Sequence, residues 1–193
     1  MKKQLSLISA FMAFGIIASA QEITETPKVE VGLNYLFTHV NPGSGLSSYN
    51  TNGGYGDVEY NLNKTFGVVA DLGASHIGTA NGIAYDNTSF EYLFGPRVNF
   101  RHGRWNPYVQ ALFGGQRYSN GFAPGGSSPV LGVSQNNFAM AFGGGLDYVL
   151  TNHIGIRPFQ VEYLPTQFSV ANTNFVQNNL RYSAGVILRL GSK

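Results

Sequence analysis

The stretch Leu180-Arg-Tyr-Ser-Ala-Gly-Val-Ile-Leu-Arg-Leu190 decides the fold class. Side chains of a strand alternate between its two faces. Leu180, Tyr182, Ala184, Val186, Leu188 and Leu190 therefore share one face, and Arg181, Ser183, Gly185, Ile187 and Arg189 share the other. The same two-residue period recurs upstream. Val29, Val31, Leu33, Tyr35 and Phe37 oppose Glu30, Gly32, Asn34 and Thr38. Val58, Tyr60 and Leu62 oppose Asp57, Glu59 and Asn61. Phe66, Val68, Ala70, Leu72 and Ala74 oppose Asp71, Gly73 and Ser75; Phe90, Tyr92, Phe94, Val98 and Phe100 oppose Glu91, Gly95 and Arg97. Phe138, Met140, Phe142, Leu146 and Tyr148 oppose Ala139, Ala141, Gly143, Gly145 and Asp147.

Eight such segments are read: 28–39, 55–62, 65–77, 88–101, 107–118, 137–150, 154–164 and 179–190. None carries the i, i+3, i+4, i+7 apolar spacing of a helix. The connectors alternate in length. Asn63-Lys64, His102 to Asn106 and Thr151 to His153 are short. The stretches 40–54, 78–87, 119–136 and 165–178 are long and rich in Gly, Ser, Asn and Pro. Sorting of turns by parity is the signature of a transmembrane barrel with short periplasmic turns and longer outer loops.

The amino terminus supports export. Lys2 and Lys3 precede an apolar run from Leu5 to Ala18, and Ala18-Ser19-Ala20 forms a cleavage site. The run is shorter than a spanning helix requires. The expected organisation is a signal peptide at 1–20, cleaved after Ala20, and one barrel domain at 21–193. Of the twelve Lys and Arg, two leave with the leader, so ten basic residues face ten acidic ones and the formal charge of +2 falls to zero. A neutral chain offers no basic face for nucleic acid. The absence of cysteine excludes disulfides and thiol chemistry.

The charges orient the sheet. A lysine or arginine near the middle of a lipid-facing wall costs about 2–4 kcal/mol. Asp57, Glu59, Asp71, Glu91, Arg97, Asp147, Glu162, Arg181 and Arg189 fall on the small-residue face, which is therefore assigned to the lumen. Arg157 breaks the rule: strict alternation places it with Phe159, Val161 and Tyr163, unless a bulge at Pro158 turns it inward. Arg117 keeps the lipid parity near the outer end of its strand, within reach of head groups. Tyr60, Phe66, Phe100, Trp105 and Tyr148 near the periplasmic ends, and Tyr35, Phe37, Phe90 and Phe138 near the outer ends, are assigned to two aromatic girdles.

Together these features resemble the outer membrane β-barrel family, the OmpA-like and opacity-like eight-stranded barrels. The resemblance covers the whole mature chain. It rests on topology, the leader, the closing strand and the hairpin from Phe94-Gly-Pro-Arg97 through Arg101-His-Gly-Arg-Trp-Asn-Pro-Tyr108. It implies an all-β, eight-stranded antiparallel up-and-down barrel in the outer membrane, with the lumen charges in an internal salt-bridge network. It also implies that Tyr182, Leu188 and Leu190 form the signal read by the outer membrane assembly machinery, although the family usually ends on Phe where this chain has Leu190. The expected partners are outer membrane lipids and lipopolysaccharide, with the barrel a monomer. An extracellular ligand is expected to meet loops 40–54 and 119–136, where Tyr49 and Phe122 are read as exposed.

The role expected is structural or surface-interacting. A narrow pore through the lumen is the alternative; a wide channel is excluded because eight strands enclose only enough room for side chains. A lipid-modifying enzyme is a further alternative, for which the sequence offers no assembled site. Ser75 and His76 point to opposite faces and cannot form a nucleophile–base pair. His39 and His76 stand two strand spacings apart, roughly 10 Å, too far for one zinc. Gly53-Gly54-Tyr55-Gly56 and Gly143-Gly144-Gly145 precede no helix that would receive a phosphate. No catalytic residue, metal or cofactor is expected.

Overall fold

The computed structural model describes residues 26–41, 47–80, 83–123, 130–170 and 173–192. Eight strands follow one another: β1 (Pro27–Asn41), β2 (Tyr49–Asn61), β3 (Phe66–Ala80), β4 (Ile83–Asn99), β5 (Trp105–Ala123), β6 (Val130–Val149), β7 (Ile154–Val170) and β8 (Thr173–Ser192). Each pairs antiparallel with the next, and β8 pairs back on β1, with Val29 opposite Leu190 and Phe37 opposite Tyr182. The sheet is thus a closed barrel with no free edge. No helix among the described residues is long and apolar enough to cross a membrane; this chain crosses with strands.

The alternation read from the sequence is the alternation of burial. Leu33, Leu72, Phe66, Phe94, Phe113 and Val186 lie on the outside, while Asn34, Asp71, Arg97, Gln110 and Ser183 are buried within. A soluble barrel would show the reverse. Here the exposed surface is the apolar one, which only a hydrocarbon solvent rewards.

The strands are longer than the sequence reading gave them. β2 begins at Tyr49 rather than Tyr55, β4 at Ile83, β6 at Val130 and β8 at Thr173. The long loops expected at 40–54, 78–87, 119–136 and 165–178 are accordingly shortened. Most of their residues continue the ladders, as in the pairing of Val40 with Tyr49 and of Val170 with Thr173. The reason is physical: Asn, Ser, Gly and Thr read as loop formers, yet above the bilayer both faces of a strand meet water, so backbone pairing persists without apolar alternation. About ten residues cross the hydrocarbon; strands of 13 to 20 residues extend past it. Tyr49, expected in an exposed loop, instead starts β2 with a half-buried ring at the outer end of the lumen. The side chain of Phe122 lies outside the described residues.

The two prolines inside strands act differently. At Pro158 the ladder gains one residue in β7 against both neighbours: Arg157 pairs with Gly185 but Gln160 with Ser183, and Phe159 pairs with Leu146 but Ile156 with Tyr148. This bulge leaves Pro158 and Phe159 both outward and turns Arg157 inward. Pro96 causes no shift. The β4–β5 ladder simply lacks pairs at Gly95 and Pro96 and resumes at Arg97–Gln110 in register.

Candidate functional site

Among the described residues, the buried charges gather in the lumen. Its lowest tier, near the termini, centres on Glu30. The Glu30 carboxylate accepts from Arg101 Nη2 at 2.6 Å, from Asn61 Nδ2 at 3.0 Å and from Arg189 Nε at 3.3 Å.

The middle tier joins six strands. Arg97 Nη1 donates to Glu59 at 2.9 Å, and Asn99 donates to the other Glu59 oxygen at 2.6 Å. Arg157 bridges Asp57 and Asp147, each at 2.8 Å, and Asn34 completes Asp57 at 2.7 Å. Both guanidiniums approach the ring of Tyr108, with Arg97 Cζ 4.2 Å and Arg157 Cζ 5.1 Å from its centroid. Two cations share one aromatic ring and also one carboxylate, Asp57, which Arg97 meets at 3.7 Å and Arg157 at 2.8 Å.

The upper tier has one cation. Arg181 reaches Glu91 at 2.9 Å, Glu162 at 2.6 Å and Asp71 at 2.6 Å, with the ring of Tyr55 4.9 Å from its Cζ. Amide donors share the load on two of these acids: Gln116 on Glu91 at 2.9 Å, Gln110 on Glu162 at 2.7 Å and Gln160 on Glu162 at 2.6 Å. Asp71 has only Arg181, and its Oδ1 is buried without a hydrogen-bond partner. Arg97, Arg157 and Arg181 are all at most 2% exposed. Burial of this kind holds only where each charge is paired, because a lone buried charge costs several kcal/mol.

Charge does not fill the whole lumen. Val69, Leu93, Leu112, Ala139, Ala141 and Leu164 pack into an apolar cluster along β3 to β7. At the outer end, Thr38, Thr51, Ser75, Ser89 and Tyr118 line a cavity of about 10 Å³, room for about one water. Glycines admit the long side chains: a Cβ on Gly67 would stand 2.2 Å from Glu59 Oε1, and one on Gly32 2.3 Å from Asp57 Oδ1.

Several members of this arrangement carry no charge signal in the sequence. Tyr55, Tyr108 and Gln110 have no lumen assignment from the sequence, yet each touches a buried ion. Arg101, which the sequence reading places at the end of the fourth strand with no partner assigned, reaches back to Glu30. Outside, Tyr35, Tyr60, Phe66, Phe90, Phe100, Trp105 and Phe138 are exposed on the wall, with Phe37 and Tyr148 half-buried against Tyr182 and Trp105. Tyr182, Leu188 and Leu190 also face outward. His39 and His76 face outward as well, beside Asn50 and Thr88, while Ser75 points inward to Ser89.

The sequence profile of the outer membrane protein β-barrel domain family matches residues 7–187. The chain belongs to that family. Barrels of the same architecture include neisserial surface protein A, at 18% identity over 84% of this chain and 97% of that one, with a TM-score of 0.61. The attachment invasion locus protein Ail of Yersinia pestis aligns at 15% identity over 85% and 99%, with a TM-score of 0.51. OprG of Pseudomonas aeruginosa aligns at 11% over 89% and 100%, with a TM-score of 0.56. At such identities these outer membrane barrels share the fold with this chain. No functionally curated protein matches it.

Proposed function

We propose that this family member is a plugged, non-catalytic barrel of the outer membrane that serves the envelope structurally and presents its outer end to surface partners. The observation that carries the reading is the cross-lumen tier of Arg181, Asp71, Glu91 and Glu162, backed by the Leu93–Leu112–Leu164 cluster. Ion pairs and packed aliphatic groups in series make a strut, not a path. A solute would have to break several buried pairs at once, each costing about 3–5 kcal/mol when left half-made.

On this reading the leader 1–20 is removed after Ala20, the closing strand with Tyr182, Leu188 and Leu190 is read by the assembly machinery, and the barrel works as a monomer in lipid and lipopolysaccharide. The surface role belongs to the strand extensions and connectors within 40–54 and 119–136. The name of the Yersinia relative, attachment invasion locus protein, fits such a role.

The test is planar-bilayer recording on folded, purified protein. The proposal expects a silent membrane. Discrete conductance steps that change when Glu91→Gln or Arg97→Gln is introduced would replace it with a narrow-pore function.

A further inference from the structure

Antiparallel strands are held partly by the side chains that face each other across the ladder, and like charges set opposite weaken it. Asp57 on β2 stands directly opposite Asp71 on β3, both inside the lumen and both at most 2% exposed. Other seams set opposite charges against each other: Glu162 meets Arg181 between β7 and β8, and Glu30 meets Arg189 between β1 and β8. β2 and β3 contain no lysine or arginine, so neither strand neutralises its own acids. The counter-charges come from elsewhere in the barrel. Arg157 on β7 reaches Asp57 at 2.8 Å across the lumen, and Arg181 on β8 reaches Asp71 at 2.6 Å. Arg97 on β4 adds a longer contact to Asp57 at 3.7 Å.

The outside of the same seam is thinly covered. Its outward pairs in the outer half are Gly54–Ala74 and Gly56–Leu72, and an open trough of about 650 Å³ runs over them. A glycine brings no side chain to pack across a ladder. The described β2–β3 ladder runs from Asn52–His76 to Asn61–Gly67, against Pro27–Ser192 to Asn41–Asn178 for β1–β8. Other irregular seams are better closed. β1–β2 also sets Glu30 opposite Glu59, but Leu33 and Tyr35 cover Gly56 and Gly54 from outside, and Arg189 stands opposite Glu30 on its other flank. β4–β5 lacks pairs at Gly95 and Pro96, yet Phe94 opposes Phe113 and Val98 opposes Val109 on either side of the gap. β6–β7 carries the bulge, and Arg157 ties it to Asp147 at 2.8 Å.

We propose that the barrel wall parts first at the β2–β3 seam, a lateral opening held shut from across the lumen by Arg157 on Asp57 and Arg181 on Asp71. The opening has the apolar trough on one side and the ring of Tyr55, 4.9 Å from Arg181 Cζ, on the other. It joins the upper lumen to the hydrocarbon and makes no path along the axis. It rests on the plugged barrel of the proposed function and adds a moving part to it.

Hydrogen exchange of the full-length folded protein in lipid nanodiscs, resolved residue by residue by NMR, tests it. In wild type, amides bonded across β2–β3 exchange at least about tenfold faster than those bonded across β1–β8. Arg181→Gln speeds the β2–β3 amides by a further factor of about five and leaves those of β5–β6 near their wild-type rates. The chain has no cysteine of its own, so Val58→Cys with Ala70→Cys, an opposed outward pair, places one disulfide across the seam. Oxidation of that pair slows the β2–β3 amides to the β1–β8 rate, and reduction restores the difference. Should Arg181→Gln not fold, the wild-type and cross-linked proteins decide alone. Equal protection of β2–β3 and β1–β8 in wild type, or exchange unchanged by the cross-link, overturns the seam. In planar bilayers, conductance steps that persist with the seam cross-linked refute the plugged lumen instead, so the two failures are distinguishable.

Discussion

Arg181 and Asp71 stand on strands separated by two others in the wall, and Arg181 Nη2 meets Asp71 Oδ2 at 2.6 Å across the lumen. The same guanidinium holds Glu91 and Glu162, so one cation ties β8 to β3, β4 and β7. Removing it leaves three buried carboxylates facing one another. Arg181→Met is therefore expected to cost at least about 3–5 kcal/mol, read as a lower urea midpoint for the barrel folded in lipid vesicles. Arg181→Lys recovers only part, because an ammonium cannot match the planar fork that serves three acids.

The same tier makes an opposite prediction for one of its acids. Asp71 is the carboxylate without amide support, and its Oδ1 has no hydrogen-bond partner. Asp71→Asn keeps an acceptor for Arg181 and removes a negative charge from a place where acids outnumber cations. It is expected to change stability by less than about 1 kcal/mol, in either direction. A loss as large as that of Arg181→Met would show that the tier needs all three charges.

Arg157 and Asp147 are coupled through the bulge at Pro158. Arg157 Nε donates to Asp147 Oδ1 at 2.8 Å only because the extra residue rotates the arginine inward. In a double-mutant cycle, Arg157→Met and Asp147→Asn are expected to be non-additive by about 1–3 kcal/mol. Additive losses in the unfolding measurement would mean that the pair contributes nothing as a pair.

The apolar wall and the apolar lumen differ in what refills a hole. Leu112 is fully buried inside, whereas Leu72 is 60% exposed on the wall. Lipid tails close over Leu72→Ala, which loses only transfer free energy. No solvent reaches the lumen cluster, so Leu112→Ala adds a cavity and is expected at about 2–5 kcal/mol. Equilibrium unfolding of both variants decides whether the lumen is packed as tightly as this requires; equal losses would contradict it.

How far the sequence disclosed all this follows from which solvent each residue meets. Strands, their order and the lumen face were legible, because within the bilayer one face sees hydrocarbon and the other does not, as with Val58 against Asp57. Above the bilayer that contrast vanishes, so Tyr49 and the residues beside it read as loop while they pair as strand. Charged lumen residues announced themselves by type. Tyr108 and Tyr55 did not, since a tyrosine suits lipid interface and lumen equally, and Tyr108 sits in a strand that begins two residues earlier than its pattern showed. Arg157 was legible only as an exception, and Pro158 was the clue.

The central claim is that the aromatic-rich face lies against lipid, and the chain's single tryptophan reports on it. Trp105 faces outward at the start of β5, near the short turns, and is 50% exposed on the wall. Fluorescence of the folded protein in vesicles of brominated phospholipid measures its surroundings directly. Strong quenching is predicted, deepest when bromine sits close to the head group and weaker when it lies at the bilayer centre. Emission untouched by lipid-borne bromine at every depth, in protein that runs as a folded barrel, would contradict the account.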